Sequence, residues 1–363
     1  MDFMVSDTSV TAARGTRFVI SPTTDGQYAP DAPPRVAAST HAMSTVGVLF
    51  DFDGTLGDTE SPAMDVAFWE LAPYIPSLGG VAEDGAALDK ERAAFVVANA
   101  GKAFEFMCEL VDAERATSGL AGVEAAFTQQ RSAKAMEATP IAAAVDAQRK
   151  NLGLPTLAEL FASDGAESTL LAQQKADTNA RLALSARATP NTPAALDALR
   201  AAGTPFVIST TSGKPRVPIC VDAAALRDYF PSDELHIHSG ESDFTPPRFK
   251  PAPDVYLRAA SYVGGGGGLP PARCVAVEDS ASGVGSAANA KLGLIVGYVG
   301  ASHIADKEGH AKMLLAGKRS DDGRGADVVI EDMADLPPLV AAFAAGGVEQ
   351  AKGHATAGPR WLA

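Results

Sequence analysis

The sequence predicts an α/β fold in which a parallel sheet is flanked by helices and an α-helical cap is inserted after the first strand. Two observations lead to this prediction. Short aliphatic runs alternate with helical stretches, as expected for strands that are buried on both faces. The long segment 58–189 interrupts this alternation, because it has almost no strand signal and is dominated by Ala, Leu, Glu and Lys.

The aliphatic runs that predict strands are bounded by polar or turn residues, and the third is the weakest: 46–50, 205–209, 235–238, 274–277, 293–298 and 327–330. Helical stretches lie between them at 192–202, 254–263 and 283–290. Strands that alternate with helices are joined by crossover connections, which makes the sheet parallel. The glycine run 264–268 is expected to be a flexible connection from a helix to a strand.

This pattern predicts four parts of the chain. Residues 45–57 and 190–345 form the α/β core, 58–189 form the helical cap, and 346–363 form a C-terminal tail. Residues 1–44 are rich in Ser, Thr, Ala and Pro without a sustained period, which predicts a disordered tail or, as the second choice, a targeting segment. We therefore expect a cytoplasmic protein, or an organellar one, for example plastid, if 1–44 is a transit peptide.

The composition limits the partners that the protein can have. The 30 Lys and Arg residues face 44 Asp and Glu residues, giving a net charge of −14. This balance argues against binding to nucleic acid or to an anionic membrane surface, both of which need basic patches. No apolar run reaches the roughly 18 residues that a membrane-spanning helix needs. An anionic ligand would therefore have to be attracted by a local positive feature such as a metal ion.

The first strand ends in an unusual polar segment, Asp51-Phe52-Asp53-Gly54-Thr55. Two carboxylates one residue apart repel each other, and each resists ionisation beside the other. Either a cation or a reaction that needs both groups must compensate for this repulsion. Taken alone, the segment is equally compatible with the start of a polar loop or with a helix cap.

Three further segments at predicted strand ends or helix starts carry polar residues: Thr210-Thr211-Ser212, Lys250 and Glu278-Asp279. Hydroxyls and backbone N–H groups at a strand-to-helix turn can bind an anion, although an ordinary N-cap has the same composition. A lysine before a helix is often only a solvated charge. Because the carboxyl ends of parallel strands share one edge of the sheet, we expect all these side chains to converge there. The carboxylates would hold Mg²⁺, a small hard cation that prefers oxygen ligands and attracts phosphate.

Together these segments resemble the haloacid dehalogenase-like (HAD) hydrolase superfamily. The resemblance is carried by DFDGTL at 51–56, the Ser-Thr pair at 209–210, KPAPDVYL at 250–257 and EDSASGVGSAANA at 278–290, and it extends over about 46–340. The nearest branch is that of the sugar phosphatases and β-phosphoglucomutase-like proteins with a helical C1 cap. The resemblance implies a Rossmann-like core with this cap as an inserted domain.

The resemblance also implies a role for each motif residue. Asp51 would be the nucleophile, Asp53 the general acid and base, Thr210 a ligand of the phosphoryl group, and Lys250 a partner of both nucleophile and phosphate. The implied ligands of Mg²⁺ are Asp51, Asp53 through its backbone carbonyl, Glu278 and Asp279. The implied substrate-binding residues are Gly54, Thr55, Glu60, Thr211 and Ser212.

The presence of Asp53 predicts phosphate ester chemistry, since dehalogenases and phosphonate-cleaving relatives lack an acid there. Hexose-phosphate mutases of this branch usually place a His early in the cap, and GDTESPAMDVAFWELAP at 57–73 has none. We therefore expect a Mg²⁺-dependent phosphatase, monomeric or dimeric, that hydrolyses a small phosphorylated metabolite such as a sugar phosphate. A sugar phosphomutase and a catalytically silent binding scaffold stay as alternatives. The roles of the cap cations and of one loop histidine stay open: Lys90, Arg92, Lys102, Arg131 and His303.

Overall fold

A seven-stranded sheet organises the α/β part of the chain. The computed structural model describes residues 46–99, 104–135, 139–355 and 361–362. The strands are β1 (Gly47–Phe50), β2 (Phe206–Thr210), β3 (Ile237–Ser239), β4 (Cys274–Glu278), β5 (Leu294–Tyr298), β6 (Val328–Ile330) and β7 (Trp361–Leu362). Their order is β3-β2-β1-β4-β5-β6-β7, with β7 antiparallel and all other pairs parallel. The predicted Rossmann-like parallel sheet is confirmed.

The α-helices of the described ranges fall into two groups. Those between β1 and β2 are α1 (Glu60–Leu71), α2 (Gly85–Asn99), α3 (Phe104–Thr117), α4 (Val123–Ala133), α5 (Ala142–Asn151), α6 (Leu157–Ala162), α7 (Leu170–Ser185) and α8 (Thr192–Ala201). Those after β2 are α9 (Arg216–Ala223), α10 (Asp233–His236), α11 (Asp254–Tyr262), α12 (Ala281–Asn289), α13 (Lys307–Leu315) and α14 (Leu336–Ala355). None of these helices combines the length and hydrophobicity that crossing a bilayer requires.

The buried apolar side chains form two separate clusters. The larger cluster contains the strands and the helices that flank the sheet, and the smaller one lies among the inserted helices, around Phe68, Phe127 and Phe161. Helix α7 reaches both clusters, since Leu170 packs in the smaller one and Leu182 in the larger one. The insert therefore has its own hydrophobic core, while the exact cap boundaries at 58 and 189 stay a prediction.

The strand register brings the polar strand ends together. Phe50 of β1 lies beside Ile208 of β2 on one side and Val277 of β4 on the other. The residues that follow Phe50 and Val277, which are Asp51 and Glu278, therefore lie side by side at the carboxyl edge of the sheet. Strand β1 is also where the strand order reverses, which is where open α/β sheets form a binding crevice.

The C-terminal region differs from the predicted tail at 346–363. Helix α14 continues to Ala355, with non-helical backbone at Gly346 and Gly347, and the fully buried Ala351 packs in the larger core. The two glycines end the helical pattern in the sequence, although the helix resumes after them. Strand β7 has only two residues, too few for a periodic signal, and its pairing with β6 is visible only in three dimensions. The predicted segment 1–44 and Lys102 lie outside the described residues.

A buried ion-pair network ties three inserted helices together. Arg149 of α5 donates to Glu70 of α1 and, at 2.6 Å, to Asp177 of α7, and its Nε donates to the Pro155 carbonyl at 2.7 Å. The Arg149 and Glu70 side chains are essentially inaccessible to solvent. Two carboxylates therefore depend on one buried guanidinium for compensation.

Replacing Arg149 with Met should destabilise the protein by about 3–5 kcal/mol, because two buried carboxylates would lose their cation. The free energy of unfolding can be measured by urea denaturation followed by circular dichroism. Lys134→Met is the matched control, since Lys134 pairs with Asp164 at 2.5 Å on an exposed surface and its loss should cost at most about 1 kcal/mol. Equal losses in the two variants would contradict the importance of the buried network.

Candidate active site

Three carboxylates from two neighbouring strand ends form the centre of the site. Asp51 directly follows β1, Glu278 ends β4, and Asp279 follows it. One oxygen from each of the three residues lies within 4.8 Å of the others, and all three are buried. The convergence that the sequence predicted for these residues is therefore present in the fold.

Lys250 lies between two of these carboxylates. Its Nζ donates to Asp51 Oδ1 at 2.6 Å, to Glu278 Oε1 at 2.5 Å and to the Ser209 carbonyl at 2.7 Å. The hydroxyl of Tyr256, on α11, donates to the same Glu278 oxygen at 2.6 Å. Lys250 therefore positions Asp51, and Glu278 in turn holds Lys250 in place.

The protonation of the cluster reflects its burial and its excess negative charge. Burial raises the pKa of the Asp51 carboxyl well above its usual range; the Lys250 ammonium opposes this, and Glu278 and Asp53 reinforce it. Burial, with the charges of Asp51 and Glu278, likewise raises the pKa of Asp279. Burial alone would lower the pKa of Lys250, but its two carboxylate partners raise it instead. Without a further cation, the cluster therefore resists full ionisation.

The donor set fits a hard divalent cation. All three candidate ligands are carboxylates, the ligand type that Mg²⁺ prefers. Lys250 supplies one positive charge against three carboxylates, so a dication would balance the remaining charge. Glu278 already accepts hydrogen bonds from Lys250 and Tyr256. Among the described contacts, no lysine or arginine contacts Asp279, and the basic side chain nearest to it is that of His303.

Asp53 is held by donors from three different segments. The Thr59 hydroxyl and Arg216 Nη2 donate to Oδ1 at 2.5 and 2.8 Å, and the Ser212 hydroxyl donates to Oδ2 at 2.5 Å. Burial alone would raise the pKa of Asp53, but Arg216 and the two hydroxyls outweigh it and lower the pKa below its usual value. Asp51 and Asp53, two residues apart, are therefore shifted in opposite directions.

Glu60 begins α1 next to this group. Burial, reinforced by the charge of Asp53 and opposed by Arg216, raises its pKa to about 7. The predicted substrate-binding residue therefore changes its charge near neutral pH. Such a carboxyl can donate a hydrogen bond to a bound ligand when it is protonated and accept one when it is ionised.

The remaining predicted residues surround the two aspartates. Thr210 is buried at the end of β2, and its hydroxyl accepts from the Ser212 N–H at 3.1 Å; Thr211 lies between them in the same turn. The Thr55 hydroxyl donates to Asp279 Oδ1 at 3.4 Å. Gly54 has a φ of 78°, and a Cβ there would collide with the Asp279 carboxylate, so only glycine fits.

The sequence analysis missed several residues that contact the acids, among them Arg216 and Tyr256. Arg216 is the first residue of α9, where a cation is unfavourable next to the positive end of the helix dipole. A basic residue in such a position is a signal that an anionic partner lies close by. Tyr256 was inside the quoted motif at 250–257, but no role was predicted for it.

Two of the cap cations, Arg92 and Arg131, have partners within the insert. Arg92 pairs with Asp65 at 2.5 Å, and Arg131 Nε donates to the Ala166 carbonyl at 3.4 Å, while Lys90 is exposed. Among the described contacts, none joins these three side chains to the acidic cluster. His303 does reach it, because its Nε2 lies 3.4 Å from Asp279 Oδ2.

Comparisons with known proteins give relatives of low to moderate similarity. "Protein CbbY" from Rhodobacter capsulatus is 35% identical over 107 residues, which are 30% of this chain and 44% of that protein. The match thus spans less than half the length of this curated relative.

Two of the solved structures with similar chains are a haloacid dehalogenase-like protein of unknown function from Agrobacterium tumefaciens and CbbY from Rhodobacter sphaeroides in complex with phosphate. The first is 24% identical with a TM-score of 0.48, covering 82% of this chain and 98% of that one. The second is 19% identical with a TM-score of 0.41, covering 80% and 95%.

A family model described as haloacid dehalogenase-like hydrolase matches residues 46–291, which is more than half of the chain. The matched range begins just before β1 and ends after α12, so it contains all of the acidic residues at the sheet edge. This chain belongs to the haloacid dehalogenase-like hydrolases.

Proposed function

We propose that the protein is a Mg²⁺-dependent phosphatase that hydrolyses a small phosphorylated metabolite, such as a sugar phosphate, through an aspartyl-phosphate intermediate. The observation that carries this proposal is the pairing of two aspartates with opposite environments. Asp51 is anchored by Lys250, and Asp53 is held by Thr59, Ser212 and Arg216. With Lys250 and a dication beside it, Asp51 can ionise and act as the nucleophile, and Asp53 can carry a proton between the ester and water.

In the first step of the proposed reaction, Asp51 attacks phosphorus. Lys250 holds Oδ1, so Oδ2 forms the new bond while the bond from phosphorus to the ester oxygen breaks. Because its pKa is lowered, Asp53 is ionised in the free protein. It takes up a proton from solvent as the anionic ester binds beside it, and then gives this proton to the departing alcohol oxygen. In the second step, the Asp53 carboxylate takes a proton from water, which attacks phosphorus and releases Asp51.

Positive charge at the phosphoryl group assists both steps, because phosphoryl transfer depends mainly on positioning and charge stabilisation. Asp51, Glu278 and Asp279, with the Asp53 carbonyl, would hold Mg²⁺. The cation would polarise a phosphoryl oxygen and offset the repulsion between substrate and carboxylates. Thr210 and the hydroxyl-rich turn after β2 would bind the phosphoryl oxygens, and Gly54, Thr55 and Glu60 would line the rest of the site.

The direct experiment is a screen of phosphate monoesters with the full-length chain and Mg²⁺, following the release of inorganic phosphate. Turnover of one class of ester identifies the substrate and supports the proposal. Interconversion of sugar phosphates faster than phosphate release would replace it with a phosphomutase. No turnover by a folded protein across the panel would support a silent scaffold.

Asp51→Asn should lower phosphatase activity by at least about 10³-fold, because an amide cannot form the acyl phosphate. Asp53→Asn should lower it by about 10²–10⁴-fold, the usual contribution of general acid–base catalysis. Asp164→Asn is the matched control, since this carboxylate is exposed and pairs only with Lys134 in the described contacts. Asp51→Asn activity equal to that of Asp164→Asn would refute the assignment of the nucleophile.

Mg²⁺ affinity should fall as the pH is lowered. The raised pKa values of Asp51 and Asp279 mean that both carboxyls retain protons at higher pH than usual, and the cation needs them ionised. Binding therefore releases protons, and Kd should rise by up to about tenfold per pH unit for each proton released. Calorimetric titration between about pH 5 and about pH 8, in buffers of different ionisation enthalpy, measures both quantities. A Kd that stays constant over this range would contradict the proposed ligand set.

A further inference from the structure

Two histidines from the region after β5 contact the same acidic residue of the site. His303, in the turn after β5, places Nε2 3.4 Å from Asp279 Oδ2. His310, on α13, places Nε2 2.6 Å from the Asp279 carbonyl oxygen. One contact is with the side chain and the other with the backbone of a single residue.

The acceptors fix the tautomers of both rings. A carbonyl oxygen accepts hydrogen bonds only, so His310 must carry its proton on Nε2. The same holds for His303 when Asp279 is ionised, and its buried Nδ1 has no hydrogen-bond partner among the described residues. An Nε2–H on each ring therefore suits both contacts: His310 donates to the Asp279 carbonyl, and His303 lies 3.4 Å from the Asp279 carboxylate.

The local packing leaves these rings little freedom. The two rings meet edge to face, with centroids 6.5 Å apart and planes at 84°. His303 also lies close to Gly54, where a Cβ would be 2.8 Å from its Cε1. The other oxygen of Asp279, Oδ1, accepts from the Thr55 hydroxyl at 3.4 Å. Both carboxylate oxygens and the carbonyl of Asp279 are thus each faced by a donor from a different segment.

The contacts of His303, His310 and Thr55 bear on the orientation of the Asp279 side chain. Asp279 is buried next to two other carboxylates, so electrostatic repulsion alone would turn its side chain away from them. It also precedes Ser280, the N-cap of α12, where the backbone changes direction. A ligand in such a position needs outside contacts to keep its oxygen aimed at the cation.

We propose that His303 and His310 are positioning residues that orient Asp279 toward the divalent cation, so that the cation is bound tightly only when both imidazoles are present. The inference deepens the proposed function and depends on its metal site. Among the described contacts, neither histidine reaches Asp51 or Asp53. Hydrogen bonds to metal-ligating carboxylates typically change metal affinity by about 10–100-fold.

The test is calorimetric titration of Mg²⁺ into the full-length protein, which needs no substrate and no turnover. His303→Ala and His310→Ala should each raise Kd by about 10–100-fold, and His303→Gln and His310→Gln should recover part of the loss by offering an amide N–H near Nε2. His236→Ala is the matched control, because the described hydrogen bond of His236 goes to the Ser232 carbonyl. Its Kd should equal that of the unmodified protein.

Asp279→Asn separates this inference from the proposed function. If Asp279→Asn leaves Mg²⁺ binding intact, the metal site itself is wrong. If Asp279→Asn abolishes binding but the alanine variants bind like His236→Ala, the metal site stands and the positioning role is overturned. Thermal unfolding identifies an alanine variant that does not fold, and for that position the glutamine variant decides: a Kd equal to that of the control overturns the role. At saturating Mg²⁺, KM for the ester should stay unchanged in the histidine variants.

Discussion

The excess of buried negative charge at the carboxyl edge of the sheet is the constraint on which the site depends. Asp51, Glu278 and Asp279 lie within 4.8 Å of one another, and Lys250 is the ammonium that contacts two of them. Burying a carboxylate costs several kcal/mol unless a cation or hydrogen bonds compensate for it. The cluster therefore keeps an excess of negative charge, and this excess would favour a dication at the proposed metal site. An acidic protein with a net charge of −14 needs such a local positive feature if it is to attract an anionic substrate.

The two cationic side chains at this edge divide the acids into groups with different chemistry. Lys250 is shared between Asp51 and Glu278, and burial still keeps the pKa of Asp51 high. Arg216 and two hydroxyls contact Asp53 and bring its pKa down. The pKa values of Asp51 and Asp53 are thus shifted in opposite directions because the two side chains contact different residues. In the free protein Asp53 is therefore the readily ionised group, whereas Asp51 needs the proposed dication to ionise fully.

The sequence was sufficient to predict features that depend on hydrophobic periodicity or on position at a strand end. It was insufficient for features that depend on contacts between distant elements. Aliphatic runs predicted the first six strands, and the rule that ligands bind at the carboxyl ends of parallel strands placed Asp51, Lys250 and Asp279 at one edge. Arg216 and His310 were missed because each reaches its acid from a helix whose rotation relative to the sheet no local pattern records. The ion pairs of Arg149 with Glu70 and Asp177 were missed for the same reason, since their residues come from three helices. The strand β7 was missed because two residues carry no period.

The insert contacts Asp53 directly through Thr59 and lies against α9, the helix that carries Arg216. Movements of the cap can therefore change the surroundings of Asp53. Thr59, which donates to Asp53, is the residue immediately before α1, so any rotation of α1 moves a hydrogen-bond donor of Asp53. Helix α7 contacts α9, the helix that carries Arg216, and Lys175 of α7 pairs with Glu241 after β3 at 3.2 Å. Asp53 is therefore one of the points where the core and the insert meet, whereas the Asp51 side chain accepts its hydrogen bond from Lys250 of the core. In the proposed reaction, a substrate enclosed between the two parts would affect Asp53 through both of these helices and leave Asp51 in place.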